Sequence, residues 1–355
     1  MYRVVQWGTG NVGKEAIRTI LGRPDFELVG VRVYSPDKVG KDAGEIIGEE
    51  LTGVIATDDT EAIVALDADV VCHTPLGGVD AQQATADICA LLASGKNVVS
   101  SALEEHAFMR PGTTEGRAPL AFEQISEACE KGGSTFFHGG VNPGYSMDLY
   151  PILLSRLSRR IDKITTTEVV DMTRYTSEHM VRAIGFGIAP DEPAPLDQSF
   201  EDIYHSPFYL SMRMLAEGIG IELDDVRYHR ERAVADHPVT MAAGTLEAGT
   251  VAVMRFHVEG YVGDRLVLDF QYVWRMSDDV APDWPRGDSR WLVRIDGDPL
   301  IESEIDLTTT VGTGRAVSLT VATLNLNAIP TVVAAPPGVL DNTTIAMFGG
   351  GYLTA

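Results

Sequence analysis

Two adjacent glutamates, Glu104 and Glu105, are the side chains in this sequence best placed for acid–base chemistry. They follow a predicted strand at residues 97–102 (NVVSSA). Two neighbouring carboxylates at the end of a buried strand cannot both lie in an apolar pocket. We therefore expect one to face solvent and one to face the site, where desolvation favours its protonated form. Such a carboxylate is a candidate general acid or base. The alternative, two surface glutamates opening a loop, stays open at this stage because charged residues are mostly exposed.

A glycine pattern near the start of the chain predicts where a cofactor binds. Gly8, Gly10 and Gly13 follow an apolar run at residues 4–5 and precede a helical pattern at residues 12–21. This is G-x-G-x-x-G between a strand and a helix, which is typical of dinucleotide binding. The first glycine permits the tight turn, the second lets a pyrophosphate approach, and the third lets helix and strand pack closely. The predicted cofactor-binding loop is completed by the intervening residues, Thr9, Asn11 and Val12.

The end of the second predicted strand bears on which dinucleotide is bound. In this fold an acidic residue at that point binds the adenosine ribose and excludes a 2′-phosphate. Here Asp37 comes only after a proline, whereas Ser35 can donate to a phosphate and Lys38 or Arg32 can supply charge. We therefore predict NADP(H) as the preferred cofactor, with NAD(H) as the alternative.

Other candidate site residues follow strands four and six, because ligands bind beyond the carboxyl ends of parallel strands. Thr74 and Pro75 are predicted to line the cofactor. Asn142 is predicted either to anchor the nicotinamide carboxamide or to cap a helix that starts at residues 142–144. The predicted substrate-binding residues are Phe137, His138, Tyr175 and His179.

Strands that alternate with helices over residues 1–145 predict an α/β fold, a Rossmann-type doubly wound parallel sheet with strand order 3-2-1-4-5-6. Long strands then predict an α+β second domain at residues 146–312 with an open antiparallel sheet. Two helical inserts are expected there, at residues 177–185 and 206–218. A helix at residues 316–329, stopped by Pro330, begins a C-terminal segment, 313–355, that should return to the first domain.

The composition of the chain argues against several classes of binding partner. The chain has 355 residues and a formal net charge of −23, which argues against nucleic acid and anionic membranes as partners. No run of about 20 uninterrupted apolar residues is present. Three cysteines, without a recognised export signal, are expected to be reduced thiols in a cytoplasmic protein. No Cys/His spacing typical of zinc sites occurs, so no metal is predicted.

Several motifs together resemble one known family. They are GTGNVG at the first strand, SPDKVGKDAGE at 35–45, the Glu104–Glu105 pair, GVNPGY at 140–145 and NAIP with APPG at 327–338. In combination they are similar to the 2,4-diaminopentanoate dehydrogenase-like proteins. This group includes the native amine dehydrogenases and is often labelled dihydrodipicolinate reductase-like. The resemblance implies NAD(P)-dependent interconversion of a carbonyl compound plus ammonia with a primary amine. It also implies Glu104 as the catalytic carboxylate, with Glu105 as second choice.

The sequence departs from true dihydrodipicolinate reductases, since it has neither a His-His pair nor a K-x-x-x-G-T-type stretch. We therefore expect a small neutral aldehyde, ketone or monoamine rather than a diacid. Two alternatives remain, another NAD(P)-dependent oxidoreductase of this architecture and a non-catalytic NADP-binding sensor. The free face of the second sheet predicts a homodimer.

Overall fold

The structure, a computed structural model, describes residues 1–76, 80–114, 116–195, 197, 203–308 and 315–351. The strands, numbered along the chain, are β1 (Tyr2–Trp7), β2 (Phe26–Arg32), β3 (Ala56–Thr57), β4 (Val70–His73), β5 (Asn97–Ser100), β6 (Thr135–His138), β7 (Arg160–Asp171), β8 (Asp225–Val234), β9 (Val239–Met241), β10 (Gly244–Leu246), β11 (Val251–Val262), β12 (Arg265–Arg275), β13 (Arg290–Asp298), β14 (Ile301–Asp306) and β15 (Gly338–Leu340). The α-helices are α1 (Asn11–Leu21), α2 (Ala43–Ile47), α3 (Thr60–Ala65), α4 (Ala81–Ala93), α5 (Ala121–Gly132), α6 (Leu149–Ser155), α7 (Glu178–Ile184), α8 (Pro207–Gly218) and α9 (Ala316–Ala334).

The chain divides into two compact units. The first, the nucleotide unit, comprises Met1–Tyr145 and Val317–Ala355, and the second comprises Ser146–Ala316. The nucleotide unit is built on a parallel seven-stranded sheet of order β15-β6-β5-β4-β1-β2-β3. The expected order 3-2-1-4-5-6 is thus confirmed, with β15 added beyond β6.

Helices cover both faces of this sheet, as a parallel sheet requires. One apolar core packs α1 and α9 against one face, through residues such as Ile17 and Leu326. The other packs α4 and α5 against the opposite face, through residues such as Ile88 and Ile125. Strand β4 is buried on both faces, which explains its uninterrupted apolar start.

Helix α9 corrects one expectation, because it continues through Pro330 to Ala334 instead of stopping there. By length and mean hydropathy, 1.5, it is the one described helix that could cross a membrane, and 39% of its most apolar 18-residue stretch is buried. A core helix meets the same criteria, and here Leu326, Ile329 and Val332 of α9 pack in the core of the nucleotide unit.

The second unit contains a six-stranded sheet of order β14-β13-β7-β12-β11-β8. The expected antiparallel sheet is wrong in one respect, since β7 and β12 run parallel and make the sheet mixed. Intervening helices and strands separate these two strands in the chain, which leaves room for the crossover that parallel pairing needs. A separate hairpin joins β9 and β10.

Candidate active site

The glycine loop between β1 and α1 has the shape that a pyrophosphate needs. Gly8 has a φ of +93°, which favours glycine, and a Cβ on Gly13 would lie 2.1 Å from the Gly8 carbonyl oxygen. A Cβ on Gly10 would meet nothing within 4 Å. The N-cap residue of α1 is Gly10, which has no side chain to cap the helix, so the first N–H groups of α1 suit an anionic ligand. These residues therefore fit a dinucleotide.

The loop after β4, which contains Thr74 and Pro75, lies against this glycine turn. A Cβ on Gly8 would come within 3.1 Å of Pro75 N. Buried Gln6 joins the two loops, because its Nε2 donates to the Gly8 carbonyl at 2.9 Å and to Thr74 Oγ1 at 2.7 Å. The sequence prediction missed Gln6, although a polar residue inside an apolar strand was a usable signal.

Lys38 and Ser35 lie in the segment that follows β2. The Lys38 ammonium donates to the Thr9 carbonyl oxygen at 3.0 Å and to Thr9 Oγ1 at 3.2 Å, which places a cation on the glycine loop. Ser35 is exposed and precedes a short 3-10 helix, Pro36–Lys38, without capping it. Arg32 is turned elsewhere and stacks on Tyr34 and Trp7.

The Glu104–Glu105 pair begins a 3-10 helix, Glu104–Phe108, beyond the carboxyl end of β5. Arg117 donates to Glu105 through Nε at 2.5 Å and Nη2 at 2.6 Å, and to Glu104 Oε2 through Nη2 at 2.7 Å. The side chains of Glu104 and Glu105 are 46% and 25% exposed. The expected desolvated carboxylate is therefore wrong for this structure, because both are partly hydrated and share one cation.

Three buried histidines, His73, His106 and His138, lie at or just beyond the carboxyl ends of β4, β5 and β6. Burial lowers the pKa of His73 and of His106 to about 3, and that of His138 to about 4. Each is therefore a neutral imidazole at pH 7. His73 contacts Ser100 Oγ at 3.1 Å and His106 contacts Thr85 Oγ1 at 3.2 Å, while within the described part of the chain neither ring nitrogen of His138 has a hydrogen-bond partner.

Of the predicted substrate-binding residues in the nucleotide unit, His138 lies near Glu104. Burial lowers the pKa of its imidazole, and the negative charge of Glu104 partly opposes that shift. Phe137 points to the other face of the sheet, is 1% exposed and packs against Phe348. We therefore assign Phe137 to the core, because alternate strand residues face opposite sides. Tyr175 and His179 are exposed residues of the second unit, before and within α7.

Asn142 lies in the loop after β6, and this loop is held by Asn325, a residue that the sequence prediction missed. Asn142 is not a helix cap, since α6 begins only at Leu149 and is capped by Asp148. Asn325 of α9 donates to the Gly139 carbonyl at 2.7 Å and accepts from the Gly139 N–H at 3.2 Å. A Cβ on Gly139 would lie 2.9 Å from Asn325 Oδ1, so this contact requires glycine.

One group of possible metal ligands occurs among the described residues, His229, His257 and Glu259 on the second sheet. The two imidazoles stack at 4.3 Å with an interplanar angle of 9°. Lone pairs in parallel ring planes do not converge on one ion. In addition, both nitrogens of His257 contact carboxylates, Asp269 at 3.2 Å and Glu231 at 3.4 Å. This group is therefore an ionic network on the sheet.

The parallel sheet, the glycine cradle and the polar groups at its carboxyl edge define a dinucleotide-dependent oxidoreductase. The dihydrodipicolinate reductase N-terminus family matches residues 2–102, and the 2,4-diaminopentanoate dehydrogenase C-terminal domain family matches residues 145–348. The chain belongs to the 2,4-diaminopentanoate dehydrogenase family, which confirms the resemblance.

Individual proteins that are similar to this chain point to the same family. An amine dehydrogenase of Streptomyces virginiae is 37% identical over 98% of this chain and 97% of its own length. The 2,4-diaminopentanoate dehydrogenase of Acetoanaerobium sticklandii is 26% identical over 95% of this chain and 91% of its own. The solved amine dehydrogenase of Mycobacterium smegmatis has the same fold, with a TM-score of 0.73, 19% identity and coverage of 98% and 97% of the two chains.

Proposed function

We propose that this protein is an NAD(P)H-dependent amine dehydrogenase. It converts a small aldehyde or ketone and ammonia to a primary amine, and catalyses the reverse oxidative deamination. The observation that carries the proposal is the Glu104–Glu105 pair at the carboxyl edge of the sheet that bears the glycine cradle, in a chain similar over its length to an amine dehydrogenase.

Glu104 is the proposed catalytic carboxylate. Arg117 engages both oxygens of Glu105, whereas among the described contacts it reaches Glu104 through Oε2 only. The remaining Glu104 oxygen can attract ammonium and take one proton from it, which releases ammonia to attack the carbonyl carbon. Glu104 then returns that proton to the hydroxyl group that leaves as water. The carboxylate also stabilises the cationic iminium carbon–nitrogen group. When bound, the nicotinamide supplies the hydride.

The proposal is tested by NADPH consumption with a panel of small aldehydes and ketones, with and without ammonium. Consumption that requires both partners is expected. Consumption without ammonium would instead identify another carbonyl reductase of this architecture, and none with any carbonyl would favour a cofactor sensor. Glu104→Gln should lower kcat about 100-fold or more, with Glu105→Gln as the matched control. The reverse ranking would assign catalysis to Glu105.

NADP(H) is the proposed preferred cofactor, because Lys38 places a cation on the glycine loop and no carboxylate ends β2. Replacement of Lys38 by alanine should raise KM for NADPH about tenfold and leave KM for NADH nearly unchanged. Equal changes for both cofactors would show that Lys38 only holds the loop.

A homodimer across the open face of the second sheet is also proposed. This face carries alternating charges that pair on adjacent strands, such as Arg290 with Glu304 at 2.6 Å. A two-fold axis can place such a pattern against itself. Light scattering should give twice the chain mass, and Arg290→Glu should shift it toward the monomer. A monomeric wild-type protein would overturn this proposal.

A further inference from the structure

Tyr34 is an exposed aromatic residue at the point where β2 leaves the parallel sheet. It comes two residues after the end of β2 and directly before Ser35, and the residue is 50% exposed. The carboxyl end of the second strand is where a dinucleotide-binding fold receives adenosine. An exposed ring at this position therefore needs a physical account.

The ring of Tyr34 is held rigidly from behind. Trp7 Nε1 donates to the Tyr34 hydroxyl at 2.8 Å, and the guanidinium carbon of Arg32 lies 3.8 Å from the centre of the Tyr34 ring. The same guanidinium lies 5.1 Å from the ring centre of Trp7. A cation–π contact engages one face of an aromatic ring, and Tyr34 is still 50% exposed.

Arg32 itself is poorly placed to bind a phosphate. Its Nε and Nη1 are out of contact with solvent and have no hydrogen-bond partner among the described residues, so a phosphate could reach them only if the side chain moved. Arg32 also interacts with the charge of Asp87 on α4, whose pKa is raised by burial. The guanidinium is thus committed to supporting the two rings.

We propose that Tyr34, supported by Arg32 and Trp7, is the stacking platform for the adenine ring of the dinucleotide. Stacking on an aromatic face does not depend on the ribose 2′-substituent, so Tyr34 serves NAD and NADP equally. Lys38, on the glycine loop, is the residue that distinguishes them. This inference rests on dinucleotide binding and does not depend on amine chemistry.

The test is calorimetric binding of 5′-AMP and 2′,5′-ADP, which contain the adenine but no nicotinamide. Tyr34→Leu should weaken both about tenfold, and Tyr34→Phe should stay within about twofold of wild type. Lys38→Ala should weaken 2′,5′-ADP much more than 5′-AMP. Circular dichroism and thermal melting establish that each variant is folded, and Tyr34→Phe keeps the test decisive if the leucine variant is unstable.

Unchanged 5′-AMP affinity in a folded Tyr34→Leu protein would overturn the proposal. So would a tenfold loss in Tyr34→Phe, because the hydroxyl contact with Trp7 would then matter more than the ring. Neither outcome touches the amine dehydrogenase proposal, which depends on Glu104. Conversely, a protein without amination activity that still shows the expected nucleotide affinities would leave this inference standing.

Discussion

The buried histidines His73, His106 and His138 should make the stability of the protein depend steeply on pH. Their pKa values in the folded state, about 3, 3 and 4, lie below the ordinary value near 6.5. Between pH 6.5 and these values the unfolded chain binds more protons than the folded one. The stability present above pH 6.5 is therefore lost as pH falls, by up to about 4 kcal/mol per pH unit for three such groups.

Urea unfolding at a series of pH values between 7 and 5 measures this slope. Replacement of His106 by glutamine, which can still bond to Thr85, should flatten the slope by about a third. Thr323→Ala, which leaves all three histidines in place, provides the control and should leave the slope unchanged. An unaltered slope in the His106 variant would show that other groups govern the acid sensitivity.

At the residue scale, the sequence predicted where a side chain lies relative to the strands better than it predicted the burial and the partners of that side chain. The positions of Glu104, Lys38 and Thr74 just beyond strand ends could be predicted, because local sequence pattern reveals where strands end. Arg117 was not predictable as the partner of Glu104 and Glu105. It lies twelve residues after Glu105, in a loop, and loops have no repeating sequence pattern from which their path could be predicted. Asn325 was missed because its partner, Gly139, is 186 residues away.

The glycine loop allows cofactor binding to be separated from stability. A methyl group at Gly10 points into open space, so Gly10→Ala should fold normally yet lose about tenfold in NADPH affinity by filling the pyrophosphate position. A methyl group at Gly13 collides with the Gly8 carbonyl, so Gly13→Ala should lose both affinity and thermal stability. Fluorescence titration and melting temperature check the pair. Unchanged NADPH affinity in the Gly10 variant would place the pyrophosphate elsewhere.

The contact between α9 and the loop after β6 should contribute measurably to stability. Asn325→Ala leaves the buried Gly139 carbonyl without its side-chain donor, while the Gly139 N–H keeps a second acceptor, the Ser100 carbonyl oxygen. We expect a loss of about 1–3 kcal/mol in urea unfolding. Thr323→Ala, which removes only hydrogen bonds within α9, should cost less than about 0.5 kcal/mol. Equal losses in the two variants would show that the contact with Gly139 is not what stabilises this region.

At the element scale, the alternation of strands and helices predicted the parallel sheet and its order, because each strand is followed by its own helix. What the pattern could not supply is pairing between distant segments. Strand β15 has only three residues, after a proline-rich turn, and is specified by its register with β6. The parallel pairing of β7 with β12 could not be predicted for the same reason, because these two strands are distant in the chain. Pro330 was read as a stop, but it lies within α9, where tertiary packing outweighs local preference.

For the whole molecule, the net charge of −23 opposes the approach of an anionic dinucleotide. Raising sodium chloride from 20 to 200 mM should therefore increase the association rate of NADPH, about twofold or more in a stopped-flow experiment. Nicotinamide mononucleotide carries fewer phosphates and should respond less. A rate that falls with salt would show that local cations such as Lys38 control the encounter.

The addition of β15 to the edge of β6 has a consequence for biosynthesis. Strands β1 to β6 of the nucleotide unit are made before the 171 residues of Ser146–Ala316, whereas the seventh strand of the same sheet, β15, is made after them. At typical rates of translation this interval is on the order of ten to thirty seconds. Throughout it, β6 presents an unpaired strand edge and the sheet lacks the cover of α9. The nascent nucleotide unit is thus open to aggregation through this edge until α9 and β15 are made.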